Sequence, residues 1–311
     1  MAGQALSAED WYWKGDGQVL LKNYSDNAQA ESLYGVGVFL SADYLERSGL
    51  AVGYNYNHTN YKSGLVNMPY AIDENLLFLS GRVNYYPDYL PGRLGLRLDG
   101  YIGNDEIFSR TTTTAPGSPM GGGSTQQITK VNDKFMVVNP VVSFLNYSKT
   151  CYVGLGYAYS SYHSNDTGID DVDIRQWSPA LGFGFNRSYD WLQIRAYLIS
   201  RSNSNRSGGN DATSALEAKW THWFSADGLL DLDNIRLAIL AGESIYAVDS
   251  DAYSLSNIPD VKTGMVSVGA EWKLNEGLNV LFQGGYEAYE DLLLNERYNS
   301  TYIYFYVSRN L

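Results

Sequence analysis

The chain has 311 residues, a length that suits two ordinary domains or one large all-β barrel. Its formal charge of −12 argues against nucleic acid as a partner. A single cysteine, Cys151, excludes an internal disulfide and a cysteine-based zinc site.

Tyrosine and tryptophan, 27 and 7 residues, dominate the aromatic content, and such polar-tipped rings suit a boundary between oil and water. The most apolar stretch, 135–145, contains asparagine, proline and serine and is shorter than the roughly 20 residues of a spanning helix. Residues 1–9 have neither a basic start nor an apolar run, so we expect no signal peptide and a mature chain.

Along the chain, apolar residues alternate with small or polar ones with a period of two, the pattern of strands with two different faces. Clear examples are 50–57, 153–159 and 266–273. This alternation predicts about fourteen strands. Their predicted ranges are 11–24, 32–44, 49–60, 75–86, 93–104, 132–146, 150–161, 173–186, 190–202, 212–225, 234–246, 262–273, 277–288 and 298–310.

The connections alternate between short and long. Those after even-numbered strands are mostly brief and turn-like, with 225–233, of middle length, as the one exception. Those after odd-numbered strands are mostly long and polar, namely 61–74, 105–131, 162–172, 203–211 and 247–261. Such alternation is typical of an up-and-down meander whose ends face different compartments. We expect one domain over 1–311, with a flexible segment at 1–10 and a long Gly/Ser/Thr-rich loop at 105–131 that can fold inward.

These features together resemble bacterial outer-membrane β-barrels over the whole chain. The resemblance implies an all-β, up-and-down antiparallel transmembrane barrel with short periplasmic turns, long extracellular loops and outer-membrane lipid around it. The ending Val307 to Leu311 departs from the aromatic last residue usual in that class.

A soluble sandwich, propeller or β-helix would also alternate. No fixed repeat supports the propeller or the β-helix. The apolar face of the strands also carries aromatic residues near strand ends, as in the aromatic girdle of a membrane barrel. These residues are Tyr54, Tyr56, Tyr85, Tyr157, Tyr159 and Trp272. Pro140 and Pro179 fall inside predicted strands, and they require bulges or different strand boundaries.

In a lipid-embedded barrel, the polar parity lines the lumen. Ten bases and six acids fall on that parity, which predicts a mildly cationic wall around a narrow aqueous channel. The residues predicted to line the solute pathway are Arg82, Arg93, Arg97, Asp99, Tyr101, Arg195, Tyr197, Arg201, Glu217, Lys219, Glu271, Lys273, Tyr302, Tyr304 and Tyr306.

Arginine matches carboxylates and phosphates through two parallel hydrogen bonds, and an aromatic face offers a sugar ring an apolar surface. We therefore expect a passive channel for small polar solutes with a mild preference for anionic or saccharide solutes. The alternative for the charges is mutual pairing that stiffens the barrel, as between Arg97 and Asp99 or Glu217 and Lys219. The alternative functions are a pore of an exopolysaccharide export system with periplasmic partners, and a structural or adhesive barrel with a plugged lumen.

The resemblance also includes barrels that are hydrolases with a histidine and a serine on the wall. His163 and Ser164 are adjacent, so they point to opposite faces of a strand, and we predict no catalytic residue and no enzyme. The acid-rich long loops are expected to form a solvated rim. Within them a weak calcium candidate consists of Asp166, Asp170, Asp171 and Asp173. No phosphate-binding glycine pattern or His/Cys metal spacing is present, so we expect no cofactor.

Overall fold

The structure, a computed structural model, forms one closed antiparallel barrel of fourteen strands, which confirms the predicted all-β class and strand number. The residues it describes are 11–25, 29–62, 69–114, 124–165, 170–203, 211–225, 232–249, 254–255, 260–275, 277–292 and 296–311. The predicted flexible segment 1–10 lies outside them. The barrel strands are β1 (Trp11–Tyr24), β2 (Ala30–Tyr44), β3 (Ser48–Tyr61), β4 (Pro69–Tyr85), β5 (Gly92–Thr114), β6 (Ser124–Asn146), β7 (Cys151–Ser164), β8 (Val172–Phe185), β9 (Asp190–Arg201), β10 (Ala212–Trp223), β11 (Leu232–Ser244), β14 (Val261–Asn275), β15 (Leu278–Asp291) and β16 (Glu296–Asn310).

Each strand pairs with its neighbour in sequence, and β1 pairs with β16 to close the barrel. Two short strands, β12 (Val248–Asp249) and β13 (Ser254–Leu255), pair with each other in the connection between β11 and β14. A 3-10 turn at Asn186–Ser188 joins β8 to β9. Among the described residues, no helix is long and apolar enough to cross a membrane.

The outer face of the barrel is apolar. On β3, Leu50, Val52 and Tyr54 are 61%, 43% and 44% exposed, whereas the alternate residues Gly53 and Asn55 are buried. The same alternation recurs around the barrel. Because the closed ladder pairs the backbone polar groups internally, such a surface can lie in hydrocarbon. The chain is therefore a transmembrane β-barrel, and its even strand number and short-turn end are those of the bacterial outer membrane.

The prediction of a loop at 105–131 is wrong for most of these residues. Strand β5 continues to Thr114 and β6 begins at Ser124, and the two remain paired as far as Thr114 and Ser124. The β-branched run of threonines suits a strand, and polarity does not prevent pairing beyond the membrane. A membrane needs only about 9–11 residues per strand, so this hairpin of 23-residue strands projects well past the lipid.

Pro140 and Pro179 lie within β6 and β8, as the sequence indicates, but neither produces a bulge. Each interrupts the ladder on one side only, Pro140 towards β7 and Pro179 towards β9, and the same register resumes beyond it. A proline lacks the N–H needed on that side, so the local pairing is lost while the strand continues.

The interior is not uniformly polar, and here the expectation from parity is wrong. Large apolar side chains point inward from β2 to β10 and form one buried cluster, which includes Phe39, Phe78, Tyr101, Phe135 and Tyr162. Their rings contact one another, as between Phe78 and Tyr101, with centroids 5.0 Å apart. Part of the interior is therefore packed like a soluble core, and members of this cluster such as Phe39 and Tyr162 also border the open lumen.

Candidate functional site: the barrel lumen

The lumen holds a cavity of about 1680 Å³ that extends along the barrel. Its lining includes Lys14 and Trp191 near the short-turn end and Tyr24, Asp260 and Tyr298 near the long-loop end. Inward side chains of neighbouring strands supply this lining because residues two apart on a strand share a face. The cavity is large enough for a small solute and is bordered by residues of both ends of the barrel.

The structure places the predicted pathway residues on the inward parity, but at different depths. Those that line the main cavity are Tyr197, Glu217, Lys219, Glu271, Tyr302, Tyr304 and Tyr306. Arg97 and Arg195 line a small pocket in the adjoining wall. Arg82, Arg93 and Lys273 lie at the short-turn rim, where they pair with Asp43, Glu46 and Asp233. Asp99, Tyr101 and Arg201 are buried in the wall.

Most inward bases are paired with acids of the wall. Arg97 Nε lies 3.1 Å from Asp99 Oδ2, and Lys219 Nζ lies 3.1 Å from Glu217 Oε2, which confirms the two predicted pairs. Arg236 pairs with Glu271 in the same way. These pairs stiffen the wall and remove much of the field of the individual bases.

The predicted positive charge of the wall is also offset by acids that the sequence pattern assigns to the outer loops. The structure puts six of these acids on the cavity lining, namely Glu74, Asp105, Asp170, Asp249, Asp260 and Asp291. Glu74, Asp105 and Asp291 lie on strands that extend further than predicted, so they continue the inward parity. The long-loop half of the lumen is therefore rich in acids, and two bases in it, Lys22 and Lys262, both bond to Glu287.

Arg201 is an exception among the inward bases. Its side chain is buried, with the residue 7% exposed, and none of its three guanidinium nitrogens forms a hydrogen bond with the described part of the chain. The hydroxyl of Thr213 on the neighbouring strand β10 is likewise buried without such a bond. Burial of this cation costs free energy, which the nearby carboxylates of Asp211 and Glu243 offset in part.

A ladder of tyrosines follows β16 on the cavity side. The Tyr304 and Tyr306 rings are stacked with centroids 6.5 Å apart, and their hydroxyls donate to Gln18 and Asp16 at 2.8 Å. Towards the long-loop end, the Tyr289 and Tyr298 rings are stacked at 5.1 Å. With their hydroxyls held by the wall, the rings present faces on which a planar or sugar-like solute could slide.

The chain after β11 folds into the lumen, and the sequence did not predict this. Residues 245–249 are here called the inward segment and follow a bulge at Gly242. Gly242 and Tyr246 both have a positive φ, which turns the chain at these two positions. Ile245 and Val248 are 1% and 3% exposed, and the Tyr246 ring lies 5.1 Å from that of Tyr162 on β7. The predicted loop 247–261 thus begins inside the barrel. The apolar residues at 245, 246 and 248 were the available signal.

Gln176 holds the inward segment by its backbone. Its side-chain amide accepts from Val248 N–H at 3.0 Å and donates to the Val248 carbonyl at 2.9 Å. Gln176 is 2% exposed, so both bonds are shielded from water. A side-chain amide paired with both groups of one residue imitates a strand edge and satisfies a backbone that would otherwise be buried without partners.

Asp249 anchors the far end of the inward segment to two bases of the wall. Its Oδ1 accepts from Arg195 Nη1 at 3.0 Å, and its Oδ2 accepts from Lys219 Nζ at 3.1 Å. Lys219 also contacts Glu217, whose other partner is the Tyr197 hydroxyl at 3.0 Å. The cluster joins β9, β10 and the inward segment at mid-strand depth, and Lys219, Glu217 and Asp249 are on the cavity lining.

The serine beside the exposed His163 is Ser161, not the Ser164 weighed from the sequence. On the outer face, His163 Nδ1 lies 2.9 Å from Asp171 Oδ2, and His163 Nε2 lies 3.2 Å from Ser161 Oγ. The Ser161 hydroxyl donates to Asp173 at 2.7 Å, so its proton is directed away from the imidazole. A histidine acting as general base must instead accept that proton.

The weak calcium candidate is not assembled by the described residues. Asp170 accepts from Asn203, Asp171 contacts His163, and Asp173 accepts from Ser161. Asp166 lies outside the described residues. No group of three acids, histidines or cysteines in the described ranges is arranged to hold a metal ion.

Solved structures resemble the chain over nearly its whole length. A FadL homologue from Pseudomonas aeruginosa superposes with a TM-score of 0.54 at 11% sequence identity, covering 96% of this chain and 89% of that one. The toluene transporter TodX from Pseudomonas putida gives 0.51 at 12% identity, covering 96% and 88%. A TodX monoaromatic hydrocarbon channel with a deletion gives 0.52 at 14%, covering 96% and 89%.

No protein-family model matches the chain, and no curated protein matches it. At these low identities, the likeness to the solved structures shows the fold alone, a closed outer-membrane β-barrel.

Proposed function

We propose that the chain is a passive outer-membrane channel for small polar solutes, with a preference for anionic or saccharide solutes. The observation that carries this proposal is the cavity of about 1680 Å³, whose lining includes residues from both ends of the barrel. A fourteen-stranded barrel lies between filled eight-stranded barrels and open sixteen-stranded porins, so a narrow path is the expected result.

The preference for solutes rests on two parts of the lining. The tyrosine ladder on β16 supplies ring faces for saccharides, and Arg195 with Lys219 supplies cationic donors at mid-strand depth. Because these two bases and most of the others are paired with acids, the selectivity for anions is expected to be mild and local.

A second candidate is a channel for aromatic or apolar solutes. Two of the similar structures are described as a toluene transporter and a monoaromatic hydrocarbon channel. In this chain, the stacked Tyr289 and Tyr298 rings at the outer end of the cavity are the surface that such a solute would contact.

A third candidate is a structural or adhesive barrel with a plugged lumen. The inward segment and the buried apolar cluster of the interior favour it.

Liposome swelling separates these candidates. Vesicles that contain the refolded protein are expected to swell in isotonic arabinose or glucose at rates that fall with solute size. Uptake of labelled toluene without sugar-driven swelling would support the second candidate. Retention of both solutes by vesicles with correctly inserted barrels would support the plugged barrel. An export pore predicts the same retention in the wild type and swelling only after the long β5–β6 hairpin is shortened.

The ion selectivity is tested on the wall charges themselves. The double variant Arg97→Glu with Arg195→Glu is expected to move the reversal potential in a KCl gradient towards the equilibrium potential of potassium, because it converts two inward cations to anions. An unchanged reversal potential would mean that ions pass elsewhere. The matched control is Arg309→Glu, an exposed base near the end of β16.

A further inference from the structure

We propose that Arg195 and Lys219 form a binding site for a solute carboxylate, and that the carboxylate of Asp249 occupies this site in the structure. This inference rests on the proposed channel function and names the class of solute for one position of the lumen. The Asp249 carboxylate is thus an intramolecular competitor, which a solute carboxylate must displace to bind.

The geometry is that of a bound carboxylate. Each oxygen of Asp249 has its own donor, Arg195 Nη1 at 3.0 Å and Lys219 Nζ at 3.1 Å. The donors come from adjacent strands, with Arg195 opposite Glu217 and Lys219 opposite Gln193. Charge-assisted hydrogen bonds to both oxygens are the usual means of recognising a carboxylate.

The charges call for a single negative group. Besides the two bases, the described residues of the barrel wall supply one acid in this cluster, Glu217, which contacts Lys219 at 3.1 Å and accepts from Tyr197. Without Asp249, the wall residues of this cluster carry one net positive charge. Arg195 has only 6% of its side chain exposed, so an empty site would leave a poorly solvated cation. Such a site favours exchange of one carboxylate for another over vacancy.

The occupant is not part of the barrel wall. Asp249 lies at the end of the inward segment, which contacts the wall through Gln176 and Tyr162 as well as through the two bases. Replacing it requires movement of the inward segment and no break in the barrel ladder. Asp249 and Lys219 both line the main cavity, so a solute in the lumen reaches the site directly.

A tethered carboxylate competes with a soluble one at a high effective concentration, commonly in the millimolar range. Removing the tethered group is therefore expected to lower the concentration at which a soluble carboxylate binds by at least about tenfold. Neutral molecules of the same shape are expected to be unaffected, because both donors are cationic.

The experiment measures block of single-channel current in planar bilayers by acetate, with acetamide as the neutral isostere and added KCl as the ionic-strength control. In Asp249→Asn, acetate is expected to reduce the current at a concentration at least about tenfold lower than in the wild type, while acetamide has no effect. Glu296→Gln, which removes an exposed acid at the long-loop end, is expected to behave as the wild type. Equal block by acetate and acetamide, or equal curves for the two variants, would overturn the proposal.

A direct binding measurement distinguishes failure of this site from failure of the channel. Line broadening of ¹³C-acetate by the detergent-solubilised Asp249→Asn barrel needs no current. Broadening that is lost in the triple variant Asp249→Asn, Arg195→Gln and Lys219→Gln supports the site even if no variant conducts. Conduction without acetate-specific broadening would instead refute the site and leave the channel intact. Heat-modifiable migration in electrophoresis verifies that each variant folds.

Discussion

Gln176 provides the sharpest test of how the inward segment is held. Replacement by leucine keeps the approximate volume but removes both hydrogen bonds to Val248, at 3.0 and 2.9 Å. Each buried backbone group left without a partner costs about 1 to 3 kcal/mol. Two such groups amount to at least about 2 kcal/mol, which lowers the ratio of inward to released segment roughly 30-fold, since 1.4 kcal/mol corresponds to tenfold.

Hydrogen exchange followed by mass spectrometry measures this ratio on the peptide that contains 245–249. Gln176→Leu is expected to lose most of the protection of that peptide and to increase the single-channel conductance. The matched control is Gln283→Leu, because Gln283 also faces the lumen but bonds to the wall side chains Ser267 and Tyr302. If Gln176→Leu retained wild-type protection and conductance, the side-chain amide would not be what holds the segment.

Three further predictions concern stability, each measured by urea unfolding of the barrel in lipid vesicles. Arg201→Leu is expected to raise the free energy of unfolding by about 1 to 4 kcal/mol because it removes a buried cation that forms no hydrogen bond with the described part of the chain, and a lower value would contradict this. Glu287→Ala is expected to lower the free energy of unfolding by about 3 to 5 kcal/mol, because it leaves Lys22 and Lys262 without the carboxylate to which they are bonded at 2.5 and 2.6 Å. A change near zero would refute the pairing. Burial raises the pKa of the Asp260 carboxyl from 3.8 to about 6, with Asp291 adding to the effect. Its ionisation is therefore penalised in the folded state, and stability should fall as pH rises from 3.8 to about 6, a fall that Asp260→Asn should abolish.

The sequence predicted the barrel well because a membrane imposes the same two-residue period on every strand. Leu50 and Val52 face outward while Arg97 and Glu217 face inward, as the alternation requires. Parity determines only the side of the wall on which a side chain lies. It does not show whether an inward residue meets water, another wall residue or a folded connection, which is why the packed apolar cluster was missed.

The inward segment was missed for a related reason. Strand period ends at Gly242, where a bulge shifts the register, and no local pattern indicates that the following residues turn inward. Gln176 and Asp249 become recognisable only as partners of residues far along the chain. The ends of β5 and β6 were misjudged because polar, threonine-rich sequence resembles a loop once a strand leaves the membrane.

The central claim is that this barrel encloses a water-filled path across the membrane, and the conductance of the unmodified protein in planar bilayers tests it most directly. We predict steady, uniform conductance steps that increase in proportion to KCl concentration. Insertion of folded barrels without conductance steps at any salt concentration would contradict the account.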